Sequence, residues 1–312
     1  MFITRAGLAV DVRRRQPRGF VSHAHMDHVG RHEVAWATPA TAALYKHRLG
    51  PRMRVRETPY GEPWTMGPVR LTALPAGHCL GSALLLAELD DQRLLYTGDF
   101  RLRPSLTAEP ATLPQADTLV IESTFGHPRF QFPDRGDVET QLLELIQATV
   151  KEGRTPVIHA YALGKAQEVA ALLVRHGRPV QQHPVIYATS RVYEACGVKL
   201  GVKPYAGRPE EGHVVMTLPR GQRGWRLGGL GETVSIALTG WAIDARTRTR
   251  LGVDHALPFS DHADFNELLE TVERVAPRRI YVTHGPRGFV DQLLARGHDA
   301  RPLAPEPQKR LF

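Results

Sequence analysis

VSHAHMDHVG, residues Val21 to Gly30, places His23, His25, Asp27 and His28 within six positions, and each of these side chains ligates a metal once it has no proton on the donor atom. On an extended backbone alternate residues share a side, so His23 and His25 point the same way. Asp27 and His28 fall where the strand-like run Gly19 to Ser22 must break. The pattern can feed two metals: imidazole suits zinc, iron or manganese, and the carboxylate adds a hard oxygen that completes or bridges a second site. A lone histidine in a chain with 15 of them reads as structural. The order H-x-H-x-D-H reads as a metal centre.

Further ligands are then required, and the flanking sequence offers them. Asp11 ends a short strand, Ala9 to Val12, before the basic turn Arg13 to Arg18, and its carboxylate is placed to orient a ligand histidine. Leu71 to Leu74 and Ser82 to Leu89 read as strands, the second joined through Asp90 and Asp91 to Arg93 to Tyr96 as a hairpin. Between the first two lies PAGHCLGSA, where Gly77 and Gly81 flank His78 and let the backbone bend near a crowded centre. After the hairpin, YTGDF puts Asp99 directly behind a strand and a glycine. Both His78 and Asp99 are expected to join the metals. Cys79 is expected to be a small buried residue, a thiolate ligand being the alternative. Asp117 to Ile121 is a further apolar strand ending in Glu122. Near the C-terminus, PFSDHADF offers Asp261, His262 and Asp264 before a helix, Phe265 to Val275, and Arg279 to Thr283 is a strand ending in His284 and Gly285.

Composition narrows the class. With 312 residues, 42% hydrophobic and 23% charged, the chain reads as one large or two smaller globular domains. No 18-residue apolar run and no signal-peptide stretch is present, so no membrane association and a cytoplasmic location are expected. Two cysteines exclude a disulfide framework. Forty Lys and Arg against 32 Asp and Glu, most of the forty being Arg, fit a polyanionic partner.

From about Pro128 the pattern changes. Asp137 is expected to cap a helix reaching Glu152, Thr155 to His159 to be a strand, and Gly164 to Arg175 a second helix. Val180 to Ala188, Val192 to Cys196 and Val214 to Leu218 continue the alternation of strand and helix. A Gly-rich segment, Gly221 to Gly231, precedes a last strand, Val234 to Gly240. This is a parallel sheet covered by helices.

HAHMDH with His78, Asp99 and Asp11 resembles the metallo-β-lactamase fold, an αββα sandwich whose ligands come from loops at one edge. Glu122 in ESTFG, His262 in SDHAD and His284 in VTHG resemble the additional motifs of the β-CASP nucleases, which insert a second α/β domain into that core. YALGKAQE, TGWAIDARTRTR and LPFSDHADFNELL are similar to segments of the bacterial ligase-associated DNA exonucleases. The resemblance implies an α/β fold with a metallo-β-lactamase domain over residues 1–127 and 257–312 and a β-CASP domain over 128–256. His159 stands where the family more often has Phe or Pro, and no role is read for it. The insertion is also shorter than in the large RNA-processing members.

The resemblance implies a metal-dependent nuclease that hydrolyses phosphodiester bonds of single-stranded or end-bearing DNA, as an exonuclease in DNA repair, with an ATP-dependent DNA ligase and a helicase as partners. RNA processing by the same chemistry is the alternative, and a non-catalytic nucleic-acid-binding subunit a more distant one. Two divalent ions, zinc or manganese, are expected: His23, His25 and His78 on one, Asp27, His28 and His284 on the other, and Asp99 bridging. His262 is expected to protonate the leaving sugar oxygen with Glu122 holding its ring, so that Asp27, Glu122 and His262 form the catalytic set. For the substrate, Lys165 at a helix start is expected to hold a phosphate. Arg246, Arg248 and Arg250, sharing one face if extended, are expected to track the backbone in a cleft between the domains, and Tyr161 to stack on a base.

Overall fold

Strand Ala83–Leu89 is apolar at almost every position, which suits a strand covered on both faces. In the computed structural model, which describes residues 1–286 and 288–303, Leu84 and Leu86 enter one core while Ala83, Leu85 and Ala87 enter another. The same alternation divides Leu119 and Ile121 from Val120, and Ile280 and Val282 from Tyr281, as the two-residue side-chain period of a strand demands.

These strands belong to a seven-stranded sheet ordered Ala300–Pro302, Arg279–Thr283, Thr118–Glu122, Gln92–Tyr96, Ala83–Leu89, Val69–Pro75 and Pro63–Met66. The first four are mutually parallel and the remainder antiparallel. One face packs on helices Phe265–Val275 and Gly288–Leu294 through Phe265, Leu268, Val272 and Phe289. The other packs on a five-stranded sheet, whose Ile3, Leu8, Val10 and Phe20 complete the inner core. Helix Pro39–Leu49 covers the outer face of that second sheet with Ala42 and Tyr45. The layers therefore run helix, sheet, sheet, helix, the αββα sandwich expected from the sequence.

The sandwich is made of Met1–Pro128 and the chain from His262, and Arg129–Asp261 forms a separate unit. The return to the sandwich comes five residues later than residue 257. The reason is that His255–Leu257 pairs with Thr233–Leu238 as an edge strand of the inserted sheet, while Asp261 is ion-paired with Lys165 at 3.2 Å. This sheet has six parallel strands, ordered Lys203–Pro204, Val180–Gln182, Val214–Thr217, Thr155–His159, Thr233–Leu238 and His255–Leu257.

Three local expectations are corrected. Asp134, not Asp137, caps helix Arg135–Lys151, its side chain accepting from the Gly136 N–H, and Asp137 lies in the first turn. After Val180–Gln182 the chain turns at once into helix Pro184–Ala195, because His183 caps it and Pro184 opens it. Arg246, Arg248 and Arg250 lie on a helix, Arg246–Leu251, rather than on an extended segment. The Asp244 carbonyl accepts from Thr247 N and its carboxylate from Arg246 N, which starts the turn. Alternate residues therefore do not share a face, although Arg246 and Arg250 do. Among the described residues no helix is long and apolar enough to cross a membrane.

Leu268 is fully buried between the outer helix and the sheet. Leu268→Ala is expected to cost about 2–5 kcal/mol of stability, whereas Val185→Ala on the exposed start of its helix should stay within about 0.5 kcal/mol. Urea unfolding of the two variants checks the contrast.

Candidate metal centre

Strands Val69–Pro75, Gln92–Tyr96, Thr118–Glu122 and Arg279–Thr283 all run in one direction. Residues that leave their carboxyl ends therefore emerge at one edge: His78, Asp99, Glu122 and His284. The strand Arg18–Phe20 of the facing sheet delivers His23, His25 and His28. Gly98 permits the approach, because a Cβ there would lie 2.8 Å from Ser22 Oγ. Gly285 has the same function, since a Cβ would come within 1.9 Å of the Ser123 carbonyl. His284 itself has φ 51°, a left-handed conformation that costs a side chain about 1 kcal/mol or more and occurs at functional sites.

Asp99 is the point of convergence. Its Oδ2 lies 3.4 Å from His23 Nε2, 3.3 Å from His28 Nε2, and 4.0 Å from both His78 Nε2 and His262 Nε2. His25 Nδ1 and His78 Nε2 face each other at 3.0 Å. Ligand atoms of His23, His25, His78 and Asp99 all lie within 4.8 Å of one another, and so do those of His28, Asp99 and His284. Asp27 stands at the rim: its carboxylate is 3.8 Å from His28 Nε2 and its side chain 72% exposed.

Asp11 sits behind this group. One carboxylate oxygen accepts from Ser22 Oγ at 2.5 Å, Tyr96 Oη at 2.8 Å and His28 Nδ1 at 2.9 Å, and the other from the Ser22 N–H at 2.8 Å. That fixes the His28 ring with Nε2 toward Asp99. Ser22 and Tyr96 are contributors that the sequence did not disclose. Ser22 lies in the cluster itself, but a strand-terminal tyrosine carries no signal of a polar role.

The electrostatics follow from burial among like and unlike charges. Burial alone would raise the Asp11 carboxyl, but the hydrogen bond and charge of His28 outweigh it and hold it at about 2. Burial would likewise raise Asp99, yet His28 and His262 carry it well below the ordinary carboxylate range. Burial and neighbouring His28 push His23 well down. His28 goes well up: burial opposes its charge, but Asp99 and Asp11 favour it more strongly. A neutral His23, an ionised Asp99 and a cation-seeking space beside them are the donor chemistry of a metal site. The fit has a direct mark in the structure: the enclosed His23 Nε2 has no hydrogen-bond partner among the described residues, its nearest carboxylate oxygen, Asp99 Oδ2, standing 3.4 Å away. The set of three imidazole nitrogens and a carboxylate oxygen suits a divalent transition ion, and the His28, Asp99 and His284 set a second.

A second arrangement adjoins the first. His262 Nδ1 lies 3.0 Å and 3.3 Å from the two Glu122 oxygens. The Phe100 N–H and Thr124 Oγ1 also donate to Glu122, at 3.1 and 2.5 Å. Glu122 is fully buried and the His262 side chain 19% exposed, so the ring presents Nε2 beside Asp99. The loop after Asp99 is clamped from below. Glu267 accepts from the Leu102 and Arg103 N–H groups at 2.9 and 2.6 Å, and Asp264 from Arg103 Nη2 at 2.8 Å. Asp264 and Glu267 also form the capping box of helix Phe265–Val275, and D-x-x-E before an apolar run was a signal available in the sequence.

The residues expected to meet substrate lie in the inserted unit. Tyr161 is 53% exposed. Lys165 does open a helix after Gly164, but it is buried and its ammonium is paired with Asp261, so it is committed to a carboxylate. Arg246 is ion-paired with Asp244 at 2.9 Å, Arg250 donates to Thr247 Oγ1 at 3.3 Å, and Arg248 is exposed. His159 is buried, with Nδ1 2.9 Å from the Leu218 carbonyl. Cys79 is buried.

The chain is similar to several known proteins. Residues 248–301 match the family described as the Zn-dependent metallo-hydrolase RNA specificity domain. A probable DNA ligase of Opitutus terrae is 34% identical over all of this chain and 31% of its own length. The 5' exonuclease Apollo of Gallus gallus is 31% identical over 83% of this chain and 56% of its own. An RNase J-like protein of Methanocaldococcus jannaschii is 31% identical over 57% of this chain and 48% of its own. The chain thus spans between 31% and 56% of the length of these relatives.

Replacing Asp11 by Asn removes the charge that holds His28. Metal affinity is expected to fall about ten- to a hundred-fold, with the fold retained, and titration with zinc followed by calorimetry reads the loss. By its sandwich, its inserted sheet and its relatives, the chain belongs to the β-CASP family of the metallo-β-lactamase fold.

Proposed function

We propose that the chain hydrolyses phosphodiester bonds of DNA, acting on single strands or ends as an exonuclease in repair. The observation that carries the reading is the Glu122–His262 pair set 4.0 Å from the carboxylate on which the histidines converge. A lactam or thioester hydrolase would need the metal ligands and no such second pair. The relative named as a probable DNA ligase supports DNA as substrate and a ligase as partner, and the one named as a 5' exonuclease supports cleavage from an end; a helicase is proposed as a further partner of the same repair role. A cytoplasmic location fits that role.

In this proposal His23, His25 and His78 would hold one divalent ion and Asp27, His28 and His284 the other, with the Asp99 carboxylate available to both. Zinc or manganese at these positions would supply an activated water and neutralise charge gathering on the phosphoryl oxygens. The chain's own residues do the rest. His262 gives the proton on Nε2 to the departing sugar oxygen. Glu122 accepts from Nδ1, which fixes the ring and stabilises its charged form. Asp11, through Nδ1 of His28, keeps the opposite nitrogen aimed at the site. Lys165, in its pair with Asp261, anchors the segment that leads into His262, and Arg248 and Arg250 are left to meet phosphates.

RNA is the second reading, favoured by the RNA specificity domain matched over residues 248–301 and by the RNase J-like relative. End-labelled DNA and RNA of one sequence, offered with zinc and with manganese, separate the two. Shortening of DNA from one end with RNA cut more slowly is expected. RNA cut with DNA intact would establish the second reading, and no cleavage of either would reject hydrolysis. His262→Ala is expected to lower the rate by about 10² to 10⁴ with both metals retained, and a near-normal rate would remove His262 from the proton-donor role.

A further inference from the structure

The carboxyl edge of the inserted parallel sheet carries Tyr161, expected from the sequence to stack on a base, in a row with two tryptophans that the sequence reading did not single out. Three adjacent strands end there, Val214–Thr217, Thr155–His159 and Thr233–Leu238, with His159 in register with Thr217 on one side and Ala237 on the other. The loops leaving them carry Trp225, Tyr161 and Trp241 in that lateral order. Neighbouring strands are about 4.8 Å apart, so the row spans a few nucleotides of an extended strand. Tyr161 and Trp241 are 53% and 42% exposed, and Trp225 is half-buried.

The Trp225 loop is held in place. Thr217 Oγ1 donates to the Trp225 carbonyl at 2.6 Å, and His159 Nδ1 donates to the Leu218 carbonyl at 2.9 Å. His183 Nε2 donates to the Gly224 carbonyl at 2.9 Å, its Nδ1 accepting from the Val185 N–H at 3.1 Å. This gives His159 a use: its ring lies 5.9 Å from that of Trp225 and ties down the start of the loop. Burial pushes its pKa down, so it serves as a neutral donor.

Cations stand over the rings, and Asp244 beside Trp241 is paired with Arg246. Guanidinium groups of Arg220 and Arg226 lie 5.6 and 5.4 Å from the Trp225 ring centre, and exposed Arg223 falls in the same loop. At the other end Arg129 lies over Phe130 at 4.5 Å, and Phe130 meets Trp241 edge-on at 5.2 Å. Rings flanked by cations at the carboxyl edge of an open parallel sheet make a place for an anionic ligand with flat faces. Arginine beside aromatic rings is the composition that takes a strand's phosphates and unpaired bases together.

We propose that this edge binds single-stranded nucleic acid, its unpaired bases stacking on Tyr161 and Trp241 and its phosphates meeting Arg220, Arg223 and Arg226. The proposal rests on the reading of the chain as a nuclease and narrows its substrate to an unpaired strand of several nucleotides. A paired duplex hides its base faces and cannot use the row.

Binding is measured without turnover, by fluorescence anisotropy of the metal-loaded protein with phosphorothioate-linked oligo(dT) of two, four and eight nucleotides and with a blunt duplex. Affinity is expected to rise steeply from two to four nucleotides and to be weak for the duplex. Tyr161→Ala and Trp241→Ala are each expected to lose about ten-fold, while Tyr161→Phe and Trp241→Phe keep affinity within about three-fold, all four keeping the unfolding temperature and metal content of the parent. Alanine variants that bind like the parent, or a duplex that binds as well as the single strand, would overturn the proposal. Absence of cleavage with this binding intact would sink the nuclease reading and leave the binding edge standing.

Discussion

One buried carboxylate organises the first unit. Asp99 lies among His23, His28, His78 and His262, and an ionised carboxylate so enclosed is tolerated only with compensating charge. The histidines supply part of that compensation, and three of them, His23, His28 and His78, are themselves enclosed. A pair of divalent ions would complete it, each binding Asp99 more strongly than a protonated imidazole can. The sandwich is shaped to this end: parallel strands present their carboxyl ends at one edge, and glycines at 98 and 285 let their loops approach where a Cβ would collide.

The Glu122–His262 pair flanks the insertion in sequence. Glu122 ends the last strand before the inserted unit and His262 is the first residue after it, 140 positions apart yet in hydrogen-bond contact. The capping box of Asp264 and Glu267 then starts the outer helix and grips the loop behind Asp99 with the same two carboxylates. A local helix-start device thereby also sets the spacing between the carboxylate and the histidine.

Much of this was legible because residue type and spacing carry it. His23, His25 and His28 announce themselves by density. His78, Asp99 and His284 were readable because each follows a strand beside glycine. The αββα layering was implied by the resemblance to the metallo-β-lactamase fold, whereas apolar runs such as Ala83–Leu89 indicated only strands. What stayed hidden depends on partners distant in sequence. Tyr96 looks like any strand residue until its hydroxyl reaches Asp11, and Lys165 looks like a phosphate holder until Asp261 fills the same place. The alternation of TRTR suggests an extended run, but Asp244 starts a helix there by accepting from the Arg246 and Thr247 N–H groups. Asp134 and Asp137 are equally good caps by composition, and only the backbone turn selects the first.

The central claim, that Asp99 is shared by two cations, is tested most directly by anomalous diffraction from crystals of the zinc- or manganese-loaded protein. The account predicts two peaks about 3.5–4 Å apart, both touching Asp99, with His78 on one and His284 on the other. A single peak, or a pair that leaves Asp99 without a metal contact, would contradict it.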